Sequence, residues 1–301
     1  MHCTVRCVIA AVVVTFSAPA EMLDDCVASV RACGDIDLVI VVDTGGRAIP
    51  SDPDVLVVNV TNRGYGAAAN VGFQAARAAG ADMIALLNDD VVVMPDWMAP
   101  LVAEFAGDSA SGRVGAVQPM LLAPDRAQIN SLGVRIGVDG AGVDIGLGEV
   151  PPPQASVADL ELFTGGAVVF SSEFLEATGG FDERYFLYYE DVDLARRGSE
   201  LGWVYRVVTA SVVRHIGGVS TGSHPDRTRY LQERNRLWAA FRFADAATIG
   251  RALWLSVRRL RHRPFGIHAK ALAAGLAGAP TRSIERARAR SGRRSLSRGD
   301  A

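Results

Sequence analysis

The first hundred residues alternate between apolar β-branched runs and stretches with helical spacing. Val8–Thr15 is a continuous apolar run, and Asp24–Ala32 follows with Val27 and Val30 one helical turn apart. Leu38–Val42 and Val55–Val60 are two further short apolar runs. Tyr65–Ala79 is alanine-rich and helical in pattern, with Gly80 as its stop. Met83–Leu87 reads as a fourth strand, and Pro95–Phe105 as a helix with proline early. Strands and helices alternating at this pace predict a parallel sheet covered on both faces. In such sheets ligands sit beyond the carboxyl ends of the strands. Asp43, Asn62 and Asn88–Asp90 fall at such ends.

The rhythm breaks at residues 133–153, where six glycines precede Pro151-Pro152-Pro153; hairpins and a mobile loop are expected. Ala167–Phe170 returns as a strand, and Ser172–Thr178 as a short helix closed by Gly179-Gly180. Glu190–Leu201 reads as a helix, and Val204–Val208 and Ser211–Arg214 as two short strands. Beyond Asp226 the pattern is helical over Arg229–Ala244, Ile249–Arg261 and Ile267–Leu276. Three regions are expected: a catalytic domain over 1–225, a helical region over 226–280, and a basic, disordered tail over 281–301. No internal repeat interrupts this order.

Composition sharpens the picture in three places. At 49% apolar and 301 residues the chain can bury a sizeable core, which excludes a disordered protein. The formal charge of −2 hides a split: residues 251–301 carry +11 and residues 1–250 carry −13. A basic tail suits an anionic partner, and Leu253, Trp254, Val257 and Leu260 interleaved with arginines favour a membrane surface over nucleic acid. Cys3, Cys7, Cys26 and Cys33 fit no zinc or redox spacing and read as reduced, mostly buried thiols. Val8–Phe16 followed by Ser17-Ala18-Pro19-Ala20 imitates a signal peptide. Arg6 is its only firm preceding charge, however, so a buried first strand is the better reading.

Two acidic clusters carry the candidate chemistry. Asn88-Asp89-Asp90 ends an apolar strand, where uncompensated acids are costly. A divalent cation such as Mg²⁺ or Mn²⁺, with phosphates completing its shell, would account for them. Glu190-Asp191, with Asp193 close by, opens a helix after Tyr185, Phe186, Tyr188 and Tyr189. Acids at a helix start are favourable without any catalytic role. Mutual repulsion and aromatic walls, however, raise a carboxylate's proton affinity and suit a general base. Between the clusters, Asn62-Arg63-Gly64-Tyr65-Gly66 and Asn70 stand before and within a helix, where backbone N–H groups can meet a phosphate and Arg63 can add charge.

These motifs, in this order, resemble the family 2 glycosyltransferases from about residue 8 to about residue 240. The run Gly179–Arg197 resembles the rhamnosyltransferase-like branch. The resemblance implies a glycosyltransferase A-type α/β fold: a Rossmann-like, mostly parallel sheet flanked by helices, with a C-terminal helical appendage. It assigns Asp90 to the metal, with His215 as a second ligand, and Asp89 to the ribose or metal shell. Asn88 belongs to the same donor cluster. It lines the donor nucleotide with Asn62, Arg63, Gly64, Gly66 and Asn70, and sets Asp43 against the base or ribose. It brings Thr164-Gly165-Gly166 near the donor sugar and acceptor, and makes Asp191 the base, with Glu190 as the alternative. Arg234-Asn235 resembles a family pair with a possible role near the phosphates. The chain has Asp43-Thr44-Gly45-Gly46 and Ser17 where relatives mostly carry Asp-Asn-Gly-Ser and an Asn, so the nucleotide is left open.

The expected activity is an inverting, metal-dependent hexosyl transfer from a nucleotide-sugar donor to a lipid-linked or polysaccharide acceptor in the bacterial cell envelope. Rhamnose from dTDP-rhamnose is the leading donor. A UDP-linked galactofuranose or hexose is the alternative, as is a non-enzymatic nucleotide-sugar or glycan-binding scaffold. The expected location is cytoplasmic, peripheral on the inner face of the plasma membrane.

Overall fold

A computed structural model describes residues 7–46, 48, 50–106, 112–125, 127–216 and 224–299. One mixed sheet organises the chain. Its strands are β1 (Ile9–Thr15), β2 (Leu38–Asp43), β3 (Leu56–Asn59), β4 (Met83–Asn88), β5 (Val91–Val93), β6 (Arg113–Leu122) and β7 (Ile129–Ser131), then β10 (Val157–Leu160), β11 (Ala167–Ser171) and β12 (Trp203–His215). A separate hairpin joins β8 (Val134–Ile136) to β9 (Gly142–Asp144). The main order is β10-β12-β6-β11-β4-β1-β2-β3, with β5 on β12 and β7 on β6. Pairings among β1 to β4 and between β6 and β12 are parallel, while β11 runs antiparallel between β4 and β6.

Every residue of β1 is buried, and its two faces feed two cores. Ala10, Val12 and Val14 meet Ala69, Phe73 and Ala76 of helix α2 (Tyr65–Ala78). Ile9, Ala11 and Val13 meet Leu23, Val27 and Val30 of helix α1 (Ala20–Ala32). This period-two split is what a strand with helices on both faces requires. Gly72 lets α2 lie close on β1, since a Cβ there would come within 2.2 Å of Val12 Cγ1. Helices α3 (Met98–Phe105), α4 (Ser172–Thr178) and α5 (Glu190–Glu200) complete the domain. Cys26 is buried, Cys7 and Cys33 are half-buried, and all three are free thiols; Cys3 lies outside the described residues.

Helices α6 (Pro225–Phe243), α7 (Ala246–Arg259) and α8 (Phe265–Gly299) form the appendage. Gly275 and Gly278 seat α8 on α6: added Cβ atoms would fall 2.4 Å from Leu237 Cδ1 and 2.2 Å from Trp238 Nε1. Residues 281–299, expected to be disordered, continue α8 past Pro280. Arg282 anchors that extension. It is 2% exposed, bonds Asp182 Oδ2 at 2.6 Å, and lies over the rings of Tyr185 and Trp238 at 4.7 and 4.8 Å. The two short strands expected over 204–214 are one strand, β12, with a register shift between Val208 and Val212. The loop expected at 133–153 contains the β8–β9 hairpin, whose turn is tied down by Arg236 to Asp139 O at 2.8 Å and Arg251 to Val138 O at 2.6 Å.

Candidate active site

The carboxyl ends of β1 and β4, the loop before α5, the β8–β9 hairpin and the C-terminal helices enclose one cleft of about 930 Å³. Of the residues expected from the sequence, Asn62, Gly64, Asn88, Asp89, Asp90, Thr164, Gly165, Gly166, Glu190, Asp191 and His215 line it.

Asp89 and Asp90 follow β4 and are buried. Burial pushes Asp89 up to about 6, helped by the charge of Asp90 and opposed by hydrogen bonds from Thr15 and the Phe16 backbone. β12 ends at His215, whose Nε2 lies 3.2 Å from Asp90 Oδ1. Asp90 Oδ1 has no hydrogen-bond partner among the described residues. His215 Nδ1 pairs with Asn130 Oδ1 at 2.9 Å. With Nδ1–H donating to Asn130, the Nε2 lone pair faces a carboxylate oxygen. Two lone pairs held this close fit a cation between them. Among the described residues no group of three His, Cys, Asp or Glu is poised around a metal. Two protein ligands suffice for a divalent ion whose shell is completed by phosphate oxygens.

Glu190 and Asp191 open α5 after a loop in which Phe186, Tyr188 and Tyr189 adopt φ of 69°, 68° and 70°. Left-handed backbone is rare for aromatic residues and persists only where the surroundings impose it. Asn235 of α6 imposes it here: its fully buried Nδ2 donates to the carbonyls of Tyr185, Leu187 and Tyr188 at 3.0, 2.8 and 2.7 Å. Arg234 adds a bond to Tyr185 O at 2.7 Å and steadies Asn235 Oδ1 at 2.8 Å. This pair, expected near phosphates, therefore clamps the loop that delivers the carboxylates.

The two acids differ in environment. Glu190 is 6% exposed, Oε2 has no partner, and burial with the neighbouring charge of Asp191 raises it to about 8. Asp191 is half-buried and accepts from Gly165 N at 3.1 Å and Val192 N at 2.8 Å. Burial raises Asp191 too, but those bonds favour its ionised form. Both line the cleft, but Asp191 is the more exposed of the two and the one held by backbone N–H groups. Asp193 is spent on Arg197 at 2.6 Å.

Gly165 joins the two halves: its carbonyl accepts from Tyr65 Oη at 2.7 Å while its N–H holds Asp191. Gly166 O accepts from Asn88 N at 3.0 Å. Gly64 has φ 104° and lies against Phe186, where a Cβ would come within 2.2 Å of the carbonyl oxygen.

Four expected nucleotide-binding residues are not on the cleft wall. Asp43 is buried and accepts from Gly45 N and Ala48 N, both at 2.7 Å, so its carboxylate shapes the loop after β2. Arg63 points outward to Glu183. Gly66 sits under Phe181, and Asn70 pairs in both directions with the Phe181 backbone at 2.9 Å. Sequence reasoning missed Asp144, Asn130 and the helical wall, which includes Arg227, Glu233 and Arg259. Burial raises Asp144, against the opposing effects of Ser131 and His215. Only the Gly-rich spacing around Asp144 hinted that a loop there would close over a site.

Acidic strand ends on a mostly parallel sheet, facing a carboxylate pair on a clamped loop, define a glycosyltransferase of A-type fold. The chain belongs to the Glycosyltransferase like family 2, which matches residues 6–240. It is similar to the N-acetylglucosaminyl-diphospho-decaprenol L-rhamnosyltransferase of Mycobacterium tuberculosis, with 29% identity over 72% of this chain and 79% of that protein. It is also similar to the O-antigen biosynthesis protein RfbC of Myxococcus xanthus, with 31% identity over 50% of this chain and 12% of that protein. The name of the M. tuberculosis relative supports the rhamnosyltransferase-like branch. Two solved structures share the fold. GalNAc-T7 with UDP, GalNAc and Mn²⁺ has a TM-score of 0.65 at 16% identity, covering 89% of this chain and 54% of that one. The Pyrobaculum calidifontis mannosyltransferase PcManGT with GDP-Man and Mn²⁺ has a TM-score of 0.53 at 15% identity, covering 92% and 88%.

Proposed function

We propose that this enzyme is an inverting, metal-dependent transferase that moves rhamnose from dTDP-rhamnose to a lipid-linked or polysaccharide acceptor in bacterial cell-envelope glycan synthesis. The observation that carries this reading is the placement of Asp191, held by the Gly165 N–H, on the same cleft as Asp90 and His215. The M. tuberculosis relative named as an L-rhamnosyltransferase supports the sugar and a diphospholipid acceptor.

Asp191 accepts the proton of the acceptor hydroxyl as that oxygen bonds the anomeric carbon. The carbon's bond to the donor's diphosphate oxygen breaks on the opposite face, and its electron pair leaves with the nucleotide. Displacement from the opposite face inverts the anomeric centre. Mg²⁺ or Mn²⁺, held by Asp90 and His215, would neutralise the charge gathering on that leaving group. Gly165 N–H orients Asp191, and buried Glu190 keeps a proton that would otherwise place a second charge beside the base.

The basic appendage gives the reading a membrane side. No helix among the described residues is long and apolar enough to cross a membrane. Trp254, Val257 and Phe265 are nonetheless exposed, and the Arg258 guanidinium lies 5.1 Å over the Trp254 ring. Apolar side chains among arginines suit peripheral contact with an anionic lipid surface, the cytoplasmic face of the plasma membrane in this reading.

Thermal melting with dTDP, UDP and GDP, each with and without Mn²⁺, tests the donor assignment. A ligand at ~100 times its dissociation constant adds ~2.7 kcal/mol to the folded state. A Mn²⁺-dependent rise with dTDP is expected. A rise with UDP alone would redirect the donor to galactofuranose or a hexose, and no rise with any nucleotide would remove the donor site.

A further inference from the structure

The cleft is electrically two-sided. Its acids Asp89, Asp90, Asp144, Glu190 and Asp191 all lie on the sheet, the hairpin and the start of α5. Its arginines, Arg227, Arg229, Arg236 and Arg259, all lie on α6 and α7, with Glu233 the one acid among them.

These arginines are not equally committed. Arg236 is consumed by the fold, donating to Asp139 O, Ala252 O and Ser256 Oγ. Arg259 meets Glu233 at 3.3 Å, and His268 of α8 meets the same oxygen at 2.7 Å. Among the described residues, the one carboxylate near Arg229 is Asp226, at 3.9 Å. Arg227 is exposed, lies 4.4 Å over the Phe186 ring, and pairs with no carboxylate among the described residues. The wall therefore keeps positive charge for an outside anion, beside the loop that positions Asp191.

We propose that Arg227 and Arg229, backed by Arg259, form a diphosphate subsite for the acceptor. The inference rests on the transferase reading above. A cation held by Asp90 and His215 would supply the counter-charge for the donor's diphosphate on the acidic side of the cleft. A diphosphate linking the acceptor sugar to a lipid needs one of its own. α7 supplies the right continuity: Arg259 lines the cleft, while Trp254 and Val257 are exposed. A diphosphate on this wall would lie between the sugar at Asp191 and a lipid at the exposed apolar patch. Arginine suits it because its planar fork matches phosphate oxygens.

Titration calorimetry of inorganic pyrophosphate into the full-length protein in EDTA reads this wall without any cation or sugar donor. Binding by the native protein, weakened about tenfold or more by Arg227→Glu and less by Arg227→Gln, is the expected result. No binding by the native protein, or equal binding by all three, would overturn the subsite. Kinetics separate the two sources of diphosphate. Arg227→Glu should raise the KM for a diphospholipid-linked acceptor about tenfold and leave the donor KM unchanged. A rise confined to the donor KM would assign the wall to the leaving nucleotide and overturn the acceptor assignment. Because the calorimetric result needs no transfer, its failure is distinct from failure of the proposed activity.

Discussion

Asn235→Ala should cripple this enzyme although Asn235 itself does not line the cleft. Its amide is fully buried and supports three carbonyls, at 2.7 to 3.0 Å, of a loop containing three aromatic residues in left-handed backbone. Each such residue stores of order 1–3 kcal/mol, which the clamp must hold against. Each lost hydrogen bond costs about 1 kcal/mol, and more where a buried carbonyl is left without a partner. We expect a net loss of about 2–4 kcal/mol, because relaxation of the loop returns part of its strain. At roughly 2–4 °C per kcal/mol this is a melting temperature lower by about 4–16 °C. Turnover should fall further than stability alone explains, since Asp191 follows the last clamped carbonyl by three residues. A displacement of about 1 Å at a reacting group can cost about a hundredfold. Asn235→Asp is the control: it preserves size and an acceptor for Arg234 but lacks the donors, and should fail similarly. Melting curves and single-turnover rates on both variants read the two effects. An Asn235→Ala protein with native melting and native turnover would refute the clamp.

Other outcomes follow from the same geometry. Glu190 is raised from 4.5 to about 8, so the native state holds a proton that the unfolded chain releases. Its stabilising contribution is full below pH 4.5 and is lost as pH rises through about 8. Melting temperature followed against pH should therefore decline more steeply over that window in the native protein than in Glu190→Gln; parallel curves would contradict the assignment. His215→Ala should abolish the Mn²⁺-dependent part of nucleotide stabilisation while leaving the metal-free melting temperature within about 2 °C, since His215 is a partly exposed strand-end residue. An undiminished Mn²⁺ effect would remove His215 from the metal site. Trp254→Ala with Val257→Ala should reduce co-sedimentation with anionic vesicles and leave melting unchanged, because both side chains are exposed. Equal sedimentation would place the membrane contact elsewhere.

The parallel half of the fold was legible because β1, β2 and β4 are buried on both faces, and continuous apolar runs announce that. β6 was not legible. Gly115, Gln118 and Pro119 interrupt its run, yet it sits in the sheet between β11 and β12. The acidic clusters were readable because acids at strand and helix ends are conspicuous next to apolar residues. Which neighbouring residues face the cleft was not. Asn62 and Arg63 are adjacent, but one lines the cleft and the other turns to Glu183, a pairing 120 residues distant. The tail was misread for a related reason. Its charge density suggests disorder, and only the fold brings Asp182 to the buried Arg282, a hundred residues away. Asn235 carried a pattern signal, but its task depends on the backbone angles of a loop about fifty residues earlier.

The central claim is that Asp191 is the base of an inverting transfer. Turnover of Asp191→Asn with dTDP-rhamnose and a diphospholipid acceptor, measured beside dTDP-dependent stabilisation of the same protein, tests it most directly. The expected result is a rate reduced by at least ~10²-fold with nucleotide stabilisation intact. Full transfer by Asp191→Asn would contradict the account.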